Sequence, residues 1–298
     1  MLSRRAMFPL PLALMATRVA SAASKMTLAM HQNTSAAAGY RKSLEGWSRA
    51  GIKHVELTTA LLDEFLKTDT LAGARQVLAD LGLTPVSGAV GVQGLLEPNP
   101  NHAAAIENLK KRCEMFAALG LTRVYTTSGS TQKLTLDDYK VVADNWRDVG
   151  ETVKQYRLTA MVEFVRTSTY MSTLPTILKT TRAAAHPNIG PMLDFYHFWS
   201  GLNKLEDLDL IRPGEILHVH FQDVPDMPRE LLDNNTRFIP GDGVSPLNTM
   251  LRKLADKGYA GSLSVELFLP KFRDGDPFEV AREIRQKAEG VMRRASVL

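Results

Sequence analysis

After its first two dozen residues the chain repeats one pattern: a short apolar run, then a stretch with apolar residues at three- and four-residue spacing. The apolar runs fall at 26–32, 54–58, 84–91, 123–129, 158–165, 190–197, 216–223 and 262–268, and they read as β-strands. Helical patterns such as YRKSLEGWSRAG, HAAAIENLKKRCEMFAALG and LNTMLRKLADKG lie between them, and PFEVAREIRQKAEGVMRRA follows the last. Several end on glycine, the residue that best takes the left-handed turn closing a helix. Strands that alternate with helices pair in parallel, because each crossover returns the chain to the same end of the sheet. Eight such units in about 270 residues predict an α/β fold with a closed (β/α)8 barrel. Neither a G-x-G-x-x-G nor a phosphate loop follows the first strand, which weighs against an open doubly wound sheet.

The first 23 residues read as an address. They hold Arg4 and Arg5, an apolar stretch from Met7 to Ala16, and an A-x-A pattern at Ala20, Ser21 and Ala22. That is the layout of a bacterial export signal, similar to a twin-arginine leader. Residues 24–298 are then expected to form a single barrel domain in the periplasm or beyond; if the leader is an uncleaved extension, the protein stays in the cytoplasm. The leader changes the charge as well. The chain carries +4, and Arg4, Arg5 and Arg18 supply three of those charges with no acid among the first 23 residues, which leaves about +1. A nearly neutral domain lacks the clustered positive charge of a nucleic-acid binder. No apolar run reaches the roughly 18–20 residues of a membrane-spanning helix. Cys113 is the only cysteine, so an intramolecular disulfide is impossible, and its amphipathic helical setting predicts a buried thiol.

The last four strands carry the chemistry. LTAMVEFV places Glu163 between valine and phenylalanine, PMLDFYH places Asp194 between leucine and phenylalanine, ILHVHFQD places His220 between valine and phenylalanine, and SLSVELF places Glu266 between valine and leucine. Alternate residues of a barrel strand point inward, and the C-terminal strand ends form the rim where active sites sit. Three carboxylates and an imidazole therefore converge. Burying one unpaired carboxylate costs several kcal/mol, and neighbouring like charges add repulsion. Protonation or a divalent cation relieves this. Three oxygen donors and one nitrogen suit manganese first, with magnesium, cobalt and zinc as alternatives.

In these blocks the sequence resembles the xylose-isomerase-like TIM barrels, the sugar phosphate isomerase/epimerase group, over most of the chain after the leader. LDFYHFWSGLNKLEDL, LHVHFQDVP, RFIPGDGVSPL and GYAGSLSVELF carry the likeness, which is nearest to inosose (keto-inositol) isomerase-like proteins. The resemblance implies one metal ion held by Glu163, Asp194, His220 and Glu266. It implies a substrate contact for His197, three residues past Asp194, against the alternative of an ordinary strand-end histidine. Arg237 matches an arginine that could hold a substrate hydroxyl or phosphate, or it is a solvated loop arginine. His218 supports the site from a deeper layer or is a satisfied core histidine. His31 and Glu56 could line the rim beside the substrate or be plain strand-end polar residues. The irregular stretch 224–246, rich in Pro, Asp, Asn and Gly, should be a functional loop on the barrel top.

The implied activity is isomerisation or epimerisation of a keto-sugar or keto-polyol through an enediolate, with Glu163 and Glu266 exchanging protons with the substrate. Loss of a leaving group next to the enolate would make the protein a lyase: a dehydratase or a 3-keto-glycoside eliminase. Two other classes compete. Endonuclease-IV-like DNA repair enzymes need histidines on the earlier strands that TPVSGAV and RVYTTSG lack. A non-catalytic sugar-binding barrel would be expected to lose a glutamate that is present here. The expected partner is a small molecule, with no nucleic acid and no membrane span, and a homo-oligomer is compatible with the fold.

Overall fold

The structure is a computed structural model that describes residues 25–298. The export signal expected at 1–23 lies outside the described residues. Eight parallel strands close into one barrel in sequence order: Thr27–His31 (β1), His54–Thr58 (β2), Thr84–Ala89 (β3), Arg123–Thr127 (β4), Thr159–Glu163 (β5), Ile189–Asp194 (β6), Val219–His220 (β7) and Ser262–Val265 (β8). The barrel shuts where β8 pairs with β1, with Ser262 opposite Thr27 and Val265 opposite Met30. The predicted (β/α)8 architecture is the one the chain adopts.

The surrounding helices are Gly39–Arg49 (α1), Thr59–Phe65 (α2), Leu71–Asp80 (α3), His102–Ala118 (α4), Asp138–Lys154 (α5), Leu174–Ala184 (α6), Phe195–Ser200 (α7), Leu247–Asp256 (α8), Pro270–Arg273 (α9) and Pro277–Arg294 (α10). Local chemistry sets several of their starts. The Thr70 hydroxyl accepts from the Gly73 N–H ahead of α3, and Asp276 accepts from Phe278 and Glu279 ahead of α10, whose first residue is proline.

Every strand but β2 is shorter than the apolar run that predicts it, and two of the differences bear on the site. The run 190–197 is strand only to Asp194. There the Asp194 carboxylate accepts the His197 N–H at 2.8 Å and starts α7, so His197 rides on a helical turn rather than a strand end. The run 216–223 is regular only at Val219–His220. Its backbone still joins the sheet: Leu217 donates to Pro191 and Phe221 donates to Ser264. Proline has no N–H to return, which shortens the regular ladder on that side.

Most of the core lies between sheet and helices, around side chains such as Trp47, Phe116, Trp146 and Leu263. Cys113 belongs to it as expected, and burial pushes its thiol up to about 12. Inside the barrel a separate plug of Tyr125, Met161 and Met192 fills the middle. Inward positions above the plug are polar. Among the described residues no helix is long and apolar enough to cross a membrane.

The first and last helices meet closely at Gly46 of α1. A Cβ there would stand 2.6 Å from the Pro277 Cβ and 2.8 Å from the Phe278 nitrogen of α10. Gly46→Ala is expected to cost about 1–3 kcal/mol by forcing these helices apart. A urea titration should show a lower midpoint with an unchanged slope.

Candidate metal centre

Period-two alternation carries one polar side chain from each late strand into the barrel mouth. Glu163 ends β5, Asp194 ends β6, His220 ends β7, and Glu266 follows β8 by one residue. The structure brings all four together. Each offers a ligand atom within 4.8 Å of the others. His220 Nδ1 lies 3.0 Å from Glu163 Oε1, 3.5 Å from Asp194 Oδ2 and 3.6 Å from Glu266 Oε2. Adjacent donors around a small divalent ion stand about 3 Å apart when its bonds are about 2.1 Å long. Three carboxylates and an imidazole at this spacing fit such an ion.

Arg237 does not behave as a solvated loop arginine. It is 2% exposed. Its Nη1 donates to Asp194 Oδ2 at 2.9 Å and to Glu266 Oε2 at 2.8 Å. Its guanidinium also lies over the rings of Tyr196 and Phe268, at 5.0 and 4.9 Å. The loop 224–246 delivers it, and Asp223 pins that loop. The Asp223 carboxylate accepts backbone N–H groups from Gly241, Gly243 and Ser245, while its backbone bridges to Phe238.

The remaining expected residues fall at different depths. His197 is buried, and its Nε2 accepts from Arg237 Nη2 at 3.1 Å. Arginine only donates, so the His197 proton sits on Nδ1, which is buried without a partner. Glu56 does not line the rim. It is fully buried beneath His220, and its Oε2 accepts from His220 Nε2 at 3.2 Å and His218 Nε2 at 3.0 Å. Its side chain leans inward from mid-strand, one layer below the mouth. His218 is thus the deeper support. His31 is also fully buried, with Nδ1 3.5 Å from Glu266 Oε1 and Nε2 2.9 Å from the Tyr125 hydroxyl. A second grouping of His31, Glu56 and His220 also gathers ligand atoms. Its histidine nitrogens are already engaged by protein groups.

Charge follows this layering. Burial works against charging His220, but Glu56, Glu163 and Glu266 outweigh it and hold its pKa well above the ordinary imidazole value. Burial would raise Asp194, yet the Arg237 guanidinium holds it well below the carboxylate range. Glu266 is lowered in spite of burial, with the Arg237 guanidinium donating to it. Glu163 alone among the three goes up, to about 8, because burial outweighs the pull of His220. Without a bound cation the cluster therefore stores protons on His220 and Glu163.

Sequence reasoning missed three residues. Asn33 Nδ2 donates to Glu266 Oε1 at 3.0 Å, Gln222 Nε2 donates to Asp194 Oδ2 at 3.1 Å, and Tyr125 reaches His31. Gln222 carried a readable signal, since it continues the inward series 218, 220, 222. Asn33 sits in a 3₁₀ turn and had none.

With this geometry in hand, three likenesses bear on the chain. An inosose isomerase from Halalkalibacterium halodurans is 27% identical over 235 residues, covering 78% of this chain and 83% of that one. A 3-dehydroshikimate dehydratase from Pseudomonas putida is 26% identical over 243 residues, covering 78% of this chain but 36% of that longer protein. The crystal structure of an IOLI protein with a bound zinc atom superposes with a TM-score of 0.83 at 22% identity, covering 91% of this chain and 99% of that one. The sequence model of the family described as xylose isomerase-like TIM barrel matches residues 45–293, nearly the whole barrel. The chain belongs to that family.

Proposed function

We propose that this protein is a divalent-metal-dependent isomerase or epimerase of a keto-sugar or keto-polyol. The observation that carries the reading is the pairing of two unlike glutamates, Glu163 and Glu266, across one ligand cluster. Glu266 is held ionised with Arg237 donating to it and can take a proton; Glu163, raised to about 8, can return one near neutral pH. The inosose isomerase relative supports the substrate class.

Glu163, Asp194, Glu266 and His220 Nδ1 would hold the cation. When bound, it supplies Lewis-acid stabilisation to the oxygen charge that develops as the α proton leaves. The chain's own groups do the rest. Arg237 spans Asp194 and Glu266 and fixes the Glu266 carboxylate in direction. Asn33 holds the other Glu266 oxygen. Glu266 removes the α proton, and Glu163 delivers one to the opposite face or to the neighbouring carbon. His197, with its free Nδ1–H, donates to a substrate oxygen. Glu56 accepts the Nε2–H of His220 and so leaves Nδ1 as the lone-pair donor. Manganese is our first choice of metal for this oxygen-rich set; zinc, the ion in the solved IOLI protein, is the next, ahead of magnesium and cobalt. Elimination is the second reading, favoured by the dehydratase relative, because it shares the first proton transfer. We also propose that residues 1–23 direct export, on the paired arginines and the A-x-A pattern.

Glu266→Gln is expected to lower exchange of a substrate α proton for solvent deuterium by about 10²–10⁴-fold, followed by NMR over a panel of keto-sugars and keto-inositols. Exchange within tenfold of the unaltered protein would overturn the base assignment. Chelation should abolish exchange and manganese or zinc should restore it. Because a cation must displace the protons on His220 and Glu163, its apparent affinity should fall as pH drops below about 8. Calorimetry in buffers of different ionisation enthalpy should register the released protons. Glu56→Gln should weaken metal binding about 10–100-fold with the fold intact, measured by chelator competition.

A further inference from the structure

His31 fixes the direction of a hydrogen bond that opens on the substrate side. Its Nδ1 accepts the backbone N–H of Asn33 at 3.1 Å, an unambiguous donor. A ring nitrogen that accepts a hydrogen bond carries no proton of its own. Its single proton therefore sits on Nε2 and is donated to the Tyr125 hydroxyl at 2.9 Å. Tyr125 accepts that bond, so its own proton must point elsewhere. Burial and the carboxylates of Glu266, Glu56 and Glu163 hold the phenol well above its usual pKa, so the proton stays. That bond to His31 is the one hydrogen bond of the Tyr125 hydroxyl among the described residues.

The position of Tyr125 says what such a donor meets. Its ring stands 5.4 Å from that of His220, at the edge of the ligand cluster. On its other side Tyr125 helps line a hollow of about 110 Å³ between the ends of β3 and β4. A second hollow of about 440 Å³ adjoins it, sharing Gln93, Glu97 and Gly129 and reaching Ser130 and Thr167. Neither is lined by a lysine or arginine. The one ionisable side chain in the two linings besides Tyr125 is Glu97, which accepts from the Tyr170 hydroxyl at 3.0 Å. A phosphate group is held by cations or converging N–H donors, and a carboxylate repels it. Hydroxyls and a side-chain amide instead suit a neutral polyhydroxy group.

We propose that Tyr125, backed by His31, is a substrate hydrogen-bond donor at the inner end of a subsite without lysine or arginine that takes an unphosphorylated, hydroxyl-rich part of the substrate. This rests on the keto-sugar reading of the metal centre and narrows it to neutral sugars and polyols. The site extends outward along Gln93 and Ser130, so it accommodates substituents beyond the reacting carbons.

The test uses the full-length, metal-loaded protein with myo-inositol and myo-inositol 1-phosphate as probes, and calorimetry as the readout. The neutral probe should bind at least tenfold more tightly than the phosphate. Tyr125→Phe, which removes only the hydroxyl, should weaken it about 5–10-fold while metal affinity stays within twofold. Gln93→Ala, at the outer end, should weaken it by a smaller factor and supplies the answer should Tyr125→Phe fail to fold. Tighter binding of the phosphate, or affinities within twofold of the unaltered protein in both variants, would overturn the subsite. Failure of the keto-sugar reading shows separately, as absent metal-dependent deuterium exchange in the unaltered protein.

Discussion

Glu163, Asp194 and Glu266 meet around one imidazole in a space from which water is almost excluded, and Glu56 adds a fourth carboxylate just below. Like charges in a poorly polarisable place repel strongly, so the barrel mouth exists only because that repulsion is answered. Arg237 answers part of it through Asp194 and Glu266. Protons on His220 and Glu163 answer more, and a divalent cation at the same place would answer the rest. The long loop after β7 belongs to this balance. Its single buried cation reaches the cluster because Asp223 gathers three backbone N–H groups and folds the loop back.

The inward faces of the strands stack into layers, and each layer has its own task. Met161 and Met192 pack with the Tyr125 ring inside the barrel. Glu56 ties His218 and His220 together. The next layer presents the ligand atoms. Asn33, Gln222 and Arg237 then fix the carboxylates from the side. A ligand whose other atoms are held loses less freedom on binding an ion, which is how outer partners raise metal affinity. The hydroxyl-bearing hollow beside Tyr125, without lysine or arginine, contrasts with this charged floor. Charge is concentrated where a proton must move, and the flanking surface only has to recognise oxygen atoms.

Fold membership narrows the chemistry without choosing its end. Relatives that carry out isomerisation and dehydration share the barrel, and both outcomes begin with loss of a proton next to a carbonyl. What separates them is where the second proton goes and whether a leaving group is aligned. Glu163 and Glu266 differ in proton affinity because Arg237 donates to Glu266 and burial governs Glu163. That asymmetry is the feature a proton shuttle requires.

The sequence alone determined the barrel and the four ionisable side chains that gather at its mouth. Strand alternation is a local property with period two, so Glu163, Asp194, His220 and Glu266 were legible as inward residues near strand ends. Repeated helical spacing between strands dictated parallel pairing, and the count dictated closure. Depth and direction were decided elsewhere. Glu56 reads like any strand-end acid, yet its place beneath His220 depends on how β2 and β7 face each other across the barrel. Arg237 reads like a solvent-facing loop residue, and only the clamp at Asp223 turns it inward. Asp194 reads as a strand residue only, but it also caps the helix that follows, at the turn on the rim. The hydrogen-bond direction at Tyr125 depends on a turn at Asn33, ninety-two residues earlier in the chain. Local periodicity specifies which face a side chain is on; what it touches there is set by residues far apart in sequence that packing alone brings together.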